Sequence, residues 1–284
     1  MNKWVGELKQ IYGVIGDPIS HSMSPDMHND AFTDQELEAY YNAFHVRPDH
    51  LEDAVKGMKA IGVKGFNITV PHKTAIIPFL DQVDELAAAI GAVNTVKYEN
   101  GQFIGYNTDG LGFVAGLKEE LHESLIEKRT LIIGAGGAAR GIYYSLVSEG
   151  IREIDIANRT VSRAQQIIIE NPYEAKSNSL TIQAAAERLN EYDLIINTTS
   201  IGMKPNVDEM PISLQHLRND AFVSDIIYNP LETKFLSEAK KKGASIQNGL
   251  PMFIHQGALA FRIWTGVEPN IERMKAIVLK KLGG

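Results

Sequence analysis

Apolar runs rich in β-branched residues alternate with segments of helical period through the first third of the chain. IYGVIG from Ile11, Pro25 to Phe32, YYNAFHV from Tyr40, Pro48 to Ile61 and GFNITV from Gly65 follow one another as strand, helix, strand, helix and strand. That rhythm predicts a mainly parallel sheet covered by helices. In GFNITV the apolar Phe66, Ile68 and Val70 alternate with Asn67 and Thr69, which predicts a strand running to Pro71. The segment VNTVKYENGQFIGYNTD from Val93 reads as two strands around Glu99-Asn100-Gly101, a turn sequence that closes hairpins. A helix is expected over Gly110 to Leu121, and a second alternation then begins with TLIIGAGGAARG at Thr130. Its further strands lie in IREIDIAN, DLIINTT and FVSDII, with one helix between the first two and another over Glu232 to Lys242. The amphipathic LPMFIHQGALAFRIW and the last helix are expected to return to the first part. The predicted organisation is a domain over 1–109 completed by 248–284, and a second domain over 110–247.

Composition narrows what such a chain can be. With 284 residues, 44% hydrophobic and 22% charged, it reads as ordinary globular material with enough chain for two domains. A net charge of -7 offers no overall basic face to a polyphosphate, so no nucleic-acid partner is expected. The run Lys240-Lys241-Lys242 before Gly243 is read instead as cations at a helix C-terminus with a capping glycine. There is no cysteine, hence no disulfide, thiolate nucleophile or cysteine metal site, which suits a reducing cytoplasm. No segment approaches the roughly 18 uncharged apolar residues of a membrane span. The expectation is a soluble cytoplasmic protein, monomer or homodimer, with a small-molecule substrate. His21, His28, His72 and His255 have no metal-site spacing, and neither a G-x-S-x-G elbow nor an H-E-x-x-H helix occurs.

Gly134, Gly136 and Ala139 fit G-x-G-x-x-A between the apolar Leu131-Ile132-Ile133 and a helical segment. Glycines there let backbone approach a pyrophosphate, and the following helix N-terminus presents N–H donors to it. A unit that holds the ribose 2′-hydroxyl of NAD ends its next strand in Asp or Glu. Here that strand ends in Asn158-Arg159-Thr160, with Arg163 one turn on and Thr160 as the expected N-cap. Cations at a helix N-terminus oppose its dipole, so an anion such as a 2′-phosphate would compensate them. NADP is therefore inferred over NAD. Two solvated arginines, or ion pairs with Glu153 or Asp155, are the other reading.

In the first domain polar groups gather where strands should end: Ser22 and Ser24, then Asn67, Thr69 and Lys73, Asn94 with Thr95, and Asn107-Thr108-Asp109. Ligands bind outside the carboxyl ends of strands in open α/β sheets, and neutral donors in such number suit a polyhydroxylated ligand. Taken singly, Ser24 is expected to cap the helix that Pro25 opens, and Asn94 and Asn107 suit turns. Reducing a ketone by hydride requires a proton for the oxygen, which a positioned Lys73 can give with Asp109 fixing the geometry. A surface ion pair between those two is an equally open reading of the spacing.

HSMSP at His21, NITVPHK at Asn67, GAVNTV at Gly91, GYNTDG at Gly105, GAGGAARG at Gly134, ANRTVSR at Ala157, DIIYNP at Asp225 and NGLPMFIHQGALAF at Asn248 together closely resemble the shikimate dehydrogenase family. The resemblance runs nearly end to end. It implies an α/β protein of two domains, an N-terminal substrate domain with a mainly parallel sheet and a Rossmann-type NADP domain. It further implies reversible NADPH-dependent reduction of 3-dehydroshikimate to shikimate, a step of aromatic amino acid biosynthesis. By motif position Lys73 and Asp109 would be catalytic. Ser22 and Ser24 would bind the substrate carboxylate, and Thr69, Asn94, Tyr228 and Gln256 its ring hydroxyls or carboxylate. The loop Gly134, Ala135, Gly136, Gly137 and Ala138 would hold the pyrophosphate, and Asn158, Arg159, Thr160 and Arg163 the 2′-phosphate. Ile226, Gly249 and Met252 would lie near the nicotinamide, with Thr198 and Thr199 in the cofactor loop. Ile226 departs from the methionine often found there. The competing readings are a quinate/shikimate dehydrogenase paralogue using NAD, and a dinucleotide-binding protein without catalysis.

Overall fold

In the computed structural model, residues 9–121 and 124–283 are described. They form two compact units, one of the described residues up to 108 together with those from 256 onward, and one of the described residues between 109 and 255.

The first unit holds a six-stranded sheet. Its elements are β1 (Gln10–Gly16), α1 (Ser24–Asp34), β2 (Ala39–His45), α2 (Leu51–Ala60), β3 (Gly65–Ile68), α3 (His72–Ala75), β4 (Gln82–Val83), α4 (Glu85–Ile90), β5 (Thr95–Glu99) and β6 (Gln102–Tyr106). The strand order is β2-β1-β3-β5-β6-β4. β1 runs parallel to β2 and β3, whereas β5 runs antiparallel to β3 and to β6. The hairpin turn has φ 51° at Asn100 and 82° at Gly101, the left-handed pair that the Asn-Gly sequence permits.

β3 is shorter than its alternation predicts. It stops at Ile68, all four of its residues are buried, and Val70 is 67% exposed. Both faces of β3 are covered, as a central strand of a helix-flanked sheet requires, so period two there does not report in and out. Phe66 and Ile68 join Ile15, Val55, Val63, Ile76, Val96 and Phe103 in one core cluster. Against the other face, α1 packs with the second half of the later helix α10: a Cβ on Gly257 would stand 2.3 Å from the Met27 methyl. Arg273 on the last helix pairs with Asp30 and Asp34 of α1.

The second unit comprises α5 (Asp109–Leu121), β7 (Thr130–Ile133), α6 (Gly137–Ser148), β8 (Ile154–Ala157), α7 (Val161–Ile169), β9 (Ser179–Leu180), α8 (Ile182–Glu187), β10 (Leu194–Asn197), β11 (Phe222–Asp225), α9 (Lys234–Lys241), β12 (Ser245–Gln247) and the start of α10 (Leu250–Thr265); α11 (Ile271–Gly283) belongs to the first unit. Its sheet, ordered β12-β11-β10-β7-β8-β9, is parallel throughout. The edge strands β9 and β12 and the helix α8 have no counterpart in the sequence reading. They are two to six residues long, too short to show a period. The Gln247 amide donates to the Gly116 carbonyl at 2.8 Å, and a Cβ on Gly116 would meet Pro251, so β12 and the start of α10 pack on α5 in this unit. Gly243 follows α9 with φ 94° and its N–H reaches the Lys240 carbonyl, so the lysine run ends a helix. No helix among the described residues is long and apolar enough to cross a membrane.

Candidate active site

Antiparallel pairing brings three strand ends of the first unit to one edge. Because β5 opposes β3, its first residues stand beside the carboxyl end of β3, and the Ile68 N–H donates to the Asn94 carbonyl at 2.8 Å. Because β6 opposes β5, its carboxyl end returns to the same place, and the Asn94 N–H donates to the Tyr106 carbonyl. Asn94, 2% exposed, then locks the edge through its side chain. Its Oδ1 accepts the Thr108 N–H at 2.8 Å, and its Nδ2 donates to the Thr108 hydroxyl at 2.9 Å. The residue after Thr108 is Asp109, partly buried at the start of α5. Lys73 sits on the short α3, also partly buried, and its carbonyl accepts the Val93 N–H at 2.8 Å. The backbones of Lys73 and of Thr108 are therefore each bonded to the stretch Val93-Asn94. Thr69 leaves β3 beside Ile15, whose carbonyl accepts its N–H.

The serines behave differently from the capping expectation. Ser24 is the first residue of α1 and not its cap; Met23 holds that position, and no side chain caps the helix. Ser22, two residues earlier, accepts the Ser24 N–H on its hydroxyl at 3.3 Å. Pro25 therefore stands at the second helical position and not at the first, where proline is most favoured. Asn107 is a loop tie, donating to the Ala92 carbonyl. His72 is structural, buried with Nε2 2.6 Å from the Val46 carbonyl. Burial lowers the His28 pKa to about 3, so this ring is neutral and packs as an aromatic on Tyr41. Among the described residues no group of three His, Asp or Glu side chains is placed to hold a metal.

In the second unit the glycine loop follows β7 as the pattern requires. Gly134 has φ +111°, and a Cβ there would stand 2.7 Å from the Thr198 hydroxyl and 2.9 Å from Thr199. Thr198 itself donates to the Ile133 carbonyl, and Thr199 to Asn197, so both hold the ends of β7 and β10. Gly136 is the N-cap of α6 with no side-chain cap, and a Cβ on Gly136 or Gly137 would meet nothing within 4 Å. With Ala135 and Ala138 on either side, this is open backbone with free first-turn N–H groups, and it fits a pyrophosphate. At α7, Thr160 stands at the N-cap but makes no side-chain bond, and the Asn158 amide donates to its carbonyl. Arg159 and Arg163 are exposed and make no ion pair among the described residues. The ion-pair reading is not what the structure holds, because Glu153 pairs with Lys176, and Asp155 accepts from Tyr192 and Asn178. Two uncompensated cations at a helix N-terminus fit the 2′-phosphate of NADP.

Sequence reasoning missed Asp225. It ends β11 fully buried, accepting the Ile227 N–H at 3.0 Å, the Thr233 hydroxyl at 2.8 Å and the Asn197 amide at 3.1 Å. It thereby fixes the loop of Ile226 and Tyr228, against which Gly249 packs so closely that a Cβ would meet the Ile226 carbonyl at 1.9 Å. Burial raises its pKa to about 6 against the three hydrogen bonds. The Tyr228 ring packs on Phe253, beyond Met252 in α10. Gln256 is the first α10 residue of the other unit. A lone Asp in a strand gives no sequence signal distinguishing it from an exposed one.

Comparison with known proteins agrees across the chain. Residues 14–96 match the family model of the shikimate dehydrogenase substrate binding domain, residues 116–226 that of shikimate / quinate 5-dehydrogenase, and residues 249–279 that of the shikimate 5'-dehydrogenase C-terminal domain. A protein of Geobacillus sp. (strain WCH70) named shikimate dehydrogenase (NADP(+)) is 54% identical over 277 residues, covering 98% of this chain and all of the relative. Shikimate 5-dehydrogenase from Listeria monocytogenes, crystallised with shikimate and NAD, superimposes with a TM-score of 0.91 at 35% identity, covering 98% of this chain and 99% of that one. The Thermus thermophilus enzyme, solved with NADP(H) and shikimate, gives 0.86 at 35% identity over 95% and 99%.

Proposed function

Since the chain belongs to the shikimate dehydrogenase family, we propose from that premise which of its residues carry the reaction. The reaction is the reversible, NADPH-dependent reduction of 3-dehydroshikimate to shikimate, in aromatic amino acid biosynthesis. NADPH, when bound, supplies the hydride.

As the carbonyl carbon gains hydride its oxygen must gain a proton, and the Lys73 ammonium gives it, taking it back in the reverse direction. The Asp109 carboxylate accepts a hydrogen bond from the reacting hydroxyl and orients it. Asn94 and Thr69 bond ring hydroxyls, Ser22 and Ser24 hold the substrate carboxylate, and Tyr228 and Gln256 complete the substrate contacts. The glycine loop holds the pyrophosphate, Arg159 and Arg163 grip the 2′-phosphate, and Ile226, Gly249 and Met252 flank the nicotinamide. One observation supports the catalytic pair above the rest: the buried Asn94 ties the backbone leading into Asp109, while its neighbour Val93 holds the Lys73 carbonyl. A buried amide bonded on both sides gives the preorganisation that proton transfer needs.

The purified protein with 3-dehydroshikimate and NADPH should lose the reduced-nicotinamide absorbance. Comparing kcat/KM for NADPH and NADH, and for shikimate and quinate, tests the assignment. Preference for NADH or quinate would reassign the chain to the NAD-using quinate branch and retire the role given to the arginines. A cytoplasmic location suits a chain without cysteine, and light scattering distinguishes a monomer from a homodimer.

A further inference from the structure

Behind the strand-end edge of the first unit lies a buried chain of hydrogen bonds that starts on a tyrosine with no role so far. Tyr41 of β2 is wholly buried, and its phenol donates to Asn67 Oδ1 at 2.6 Å. The Asn67 amide spends both hydrogens, on the Asn94 carbonyl at 3.2 Å and on the Thr95 hydroxyl at 3.0 Å. The Thr95 hydroxyl in turn donates to Asn94 Oδ1 at 3.0 Å, the atom that also accepts the Thr108 N–H. Asn67, Thr95 and Thr108 are 7%, 0% and 1% exposed.

Donor and acceptor counting gives this chain a direction. An amide has two donor hydrogens on nitrogen and acceptors only on oxygen. With both Asn67 hydrogens committed, its oxygen must accept, so the Tyr41 hydroxyl must be the donor. Thr95 receives from Asn67, and its own hydrogen goes to Asn94 Oδ1 at 3.0 Å, a shorter contact than the 3.3 Å to the Thr108 hydroxyl. That oxygen is thereby saturated with donors, and the Asn94 amide cannot flip. Tyr41 cannot swing away to meet these groups, because its ring stacks on His28 with centroids 4.5 Å apart and lies 6.0 Å from Trp264.

We propose that Tyr41 is a positioning residue for substrate binding: through Asn67 and Thr95 it fixes the orientation of the Asn94 amide. This rests on the assignment of Asn94 to the substrate. Without the phenol, Asn67 Oδ1 is buried without its donor, the amide is free to turn, and the order of donors down to Asn94 is lost. Groups that grip the substrate before and during reaction alike affect KM more than kcat.

The test is steady-state kinetics of Tyr41→Phe with shikimate, beside Asn94→Ala and Tyr12→Phe. Tyr12 is a fair comparison, since it belongs to the same aromatic cluster but its phenol donates to Gln10. Tyr41→Phe is expected to raise the shikimate KM by roughly five- to tenfold, the worth of about one buried hydrogen bond, with a smaller change in kcat and an unchanged NADP dissociation constant. In the double variant with Asn94→Ala the Tyr41→Phe effect should largely vanish, because the two act through one chain. Tyr12→Phe should leave the KM unchanged. An Asn94→Ala variant with raised KM beside a Tyr41→Phe variant with normal KM overturns the role of Tyr41 alone. A normal KM in Asn94→Ala overturns the substrate assignment and this inference with it. Equal KM increases in Tyr12→Phe and Tyr41→Phe would reduce the effect to general loosening of the domain and overturn the inference too.

Discussion

The role proposed for Lys73 is the simplest in the molecule, delivery of one proton to an oxygen that becomes an alcohol. Positioned proton transfer is worth about 10²–10⁴ in rate, so Lys73→Met should lower kcat by that order with a much smaller change in shikimate KM. Near-normal turnover of the variant would make Lys73 a structural residue. Asp225 offers a second residue-scale measurement, on stability. Its folded pKa is raised from 3.8 to about 6, so the folded state holds the proton more tightly than the unfolded chain. The resulting stabilisation is complete below about pH 4 and is lost as pH rises through about 6. Asp225→Asn removes that dependence. Relative to the wild type, the variant should therefore gain on the order of 2–3 kcal/mol between pH 4 and 7, readable as a difference in denaturant midpoints. A difference that stays flat across that interval would mean that Asp225 ionises normally. Lys73 was legible in the sequence because NITVPHK carries it, whereas Tyr41 and Asn67 stand 26 residues apart and their bond exists only in the fold.

At the scale of elements, α7 presents the sharpest conflict between local stability and use. Arg159 and Arg163 oppose the dipole of a nine-residue helix with no side-chain cap. Replacing both with Ala should stabilise the cofactor-free protein by a few tenths of a kcal/mol. The same change should raise KM for NADPH by ten- to a hundredfold, roughly the loss of one or two charge-assisted hydrogen bonds, and leave NADH nearly unaffected. Equal losses for both cofactors would place these side chains off the 2′-phosphate. The β7–α6 turn makes a second demand. Because Gly134 is left-handed and any Cβ meets Thr198, Gly134→Ala should cost about 1–3 kcal/mol and weaken binding of both cofactors alike. The glycine pattern predicted the turn, and the strand–helix alternation predicted a helix after β8. The pattern did not reveal that Thr198 and Thr199 serve the strand ends first.

For the whole molecule, ligands that bind only the folded state raise its melting temperature by mass action. NADP at about a hundred times its dissociation constant should contribute about 2.7 kcal/mol, a shift of several degrees, with a smaller shift from NAD at equal concentration. Equal shifts would again remove the arginines from the cofactor. The division of the chain falls inside α10, between His255 and Gln256, eight residues later than the hydrophobic pattern suggested. Hydropathy along one helix records that it is covered and not which unit covers it. The contacts of Gly116 with Pro251 and of Gln247 with Gly116 decide that.

By itself the sequence determined the alternation of strands and helices, the hairpin at Asn100-Gly101, the glycine turn and the residue types at each strand end. Those are local properties, set by backbone sterics and side-chain period over a few residues. The tertiary structure decided that β5 runs against β3, that Ser24 enters α1 and leaves the cap to Met23, and that Asp225 is buried. It also ordered the hydrogens from Tyr41 to Thr108 into one direction. Each of these depends on which distant groups share a desolvated space, and burial makes every donor there require an acceptor that no local pattern names.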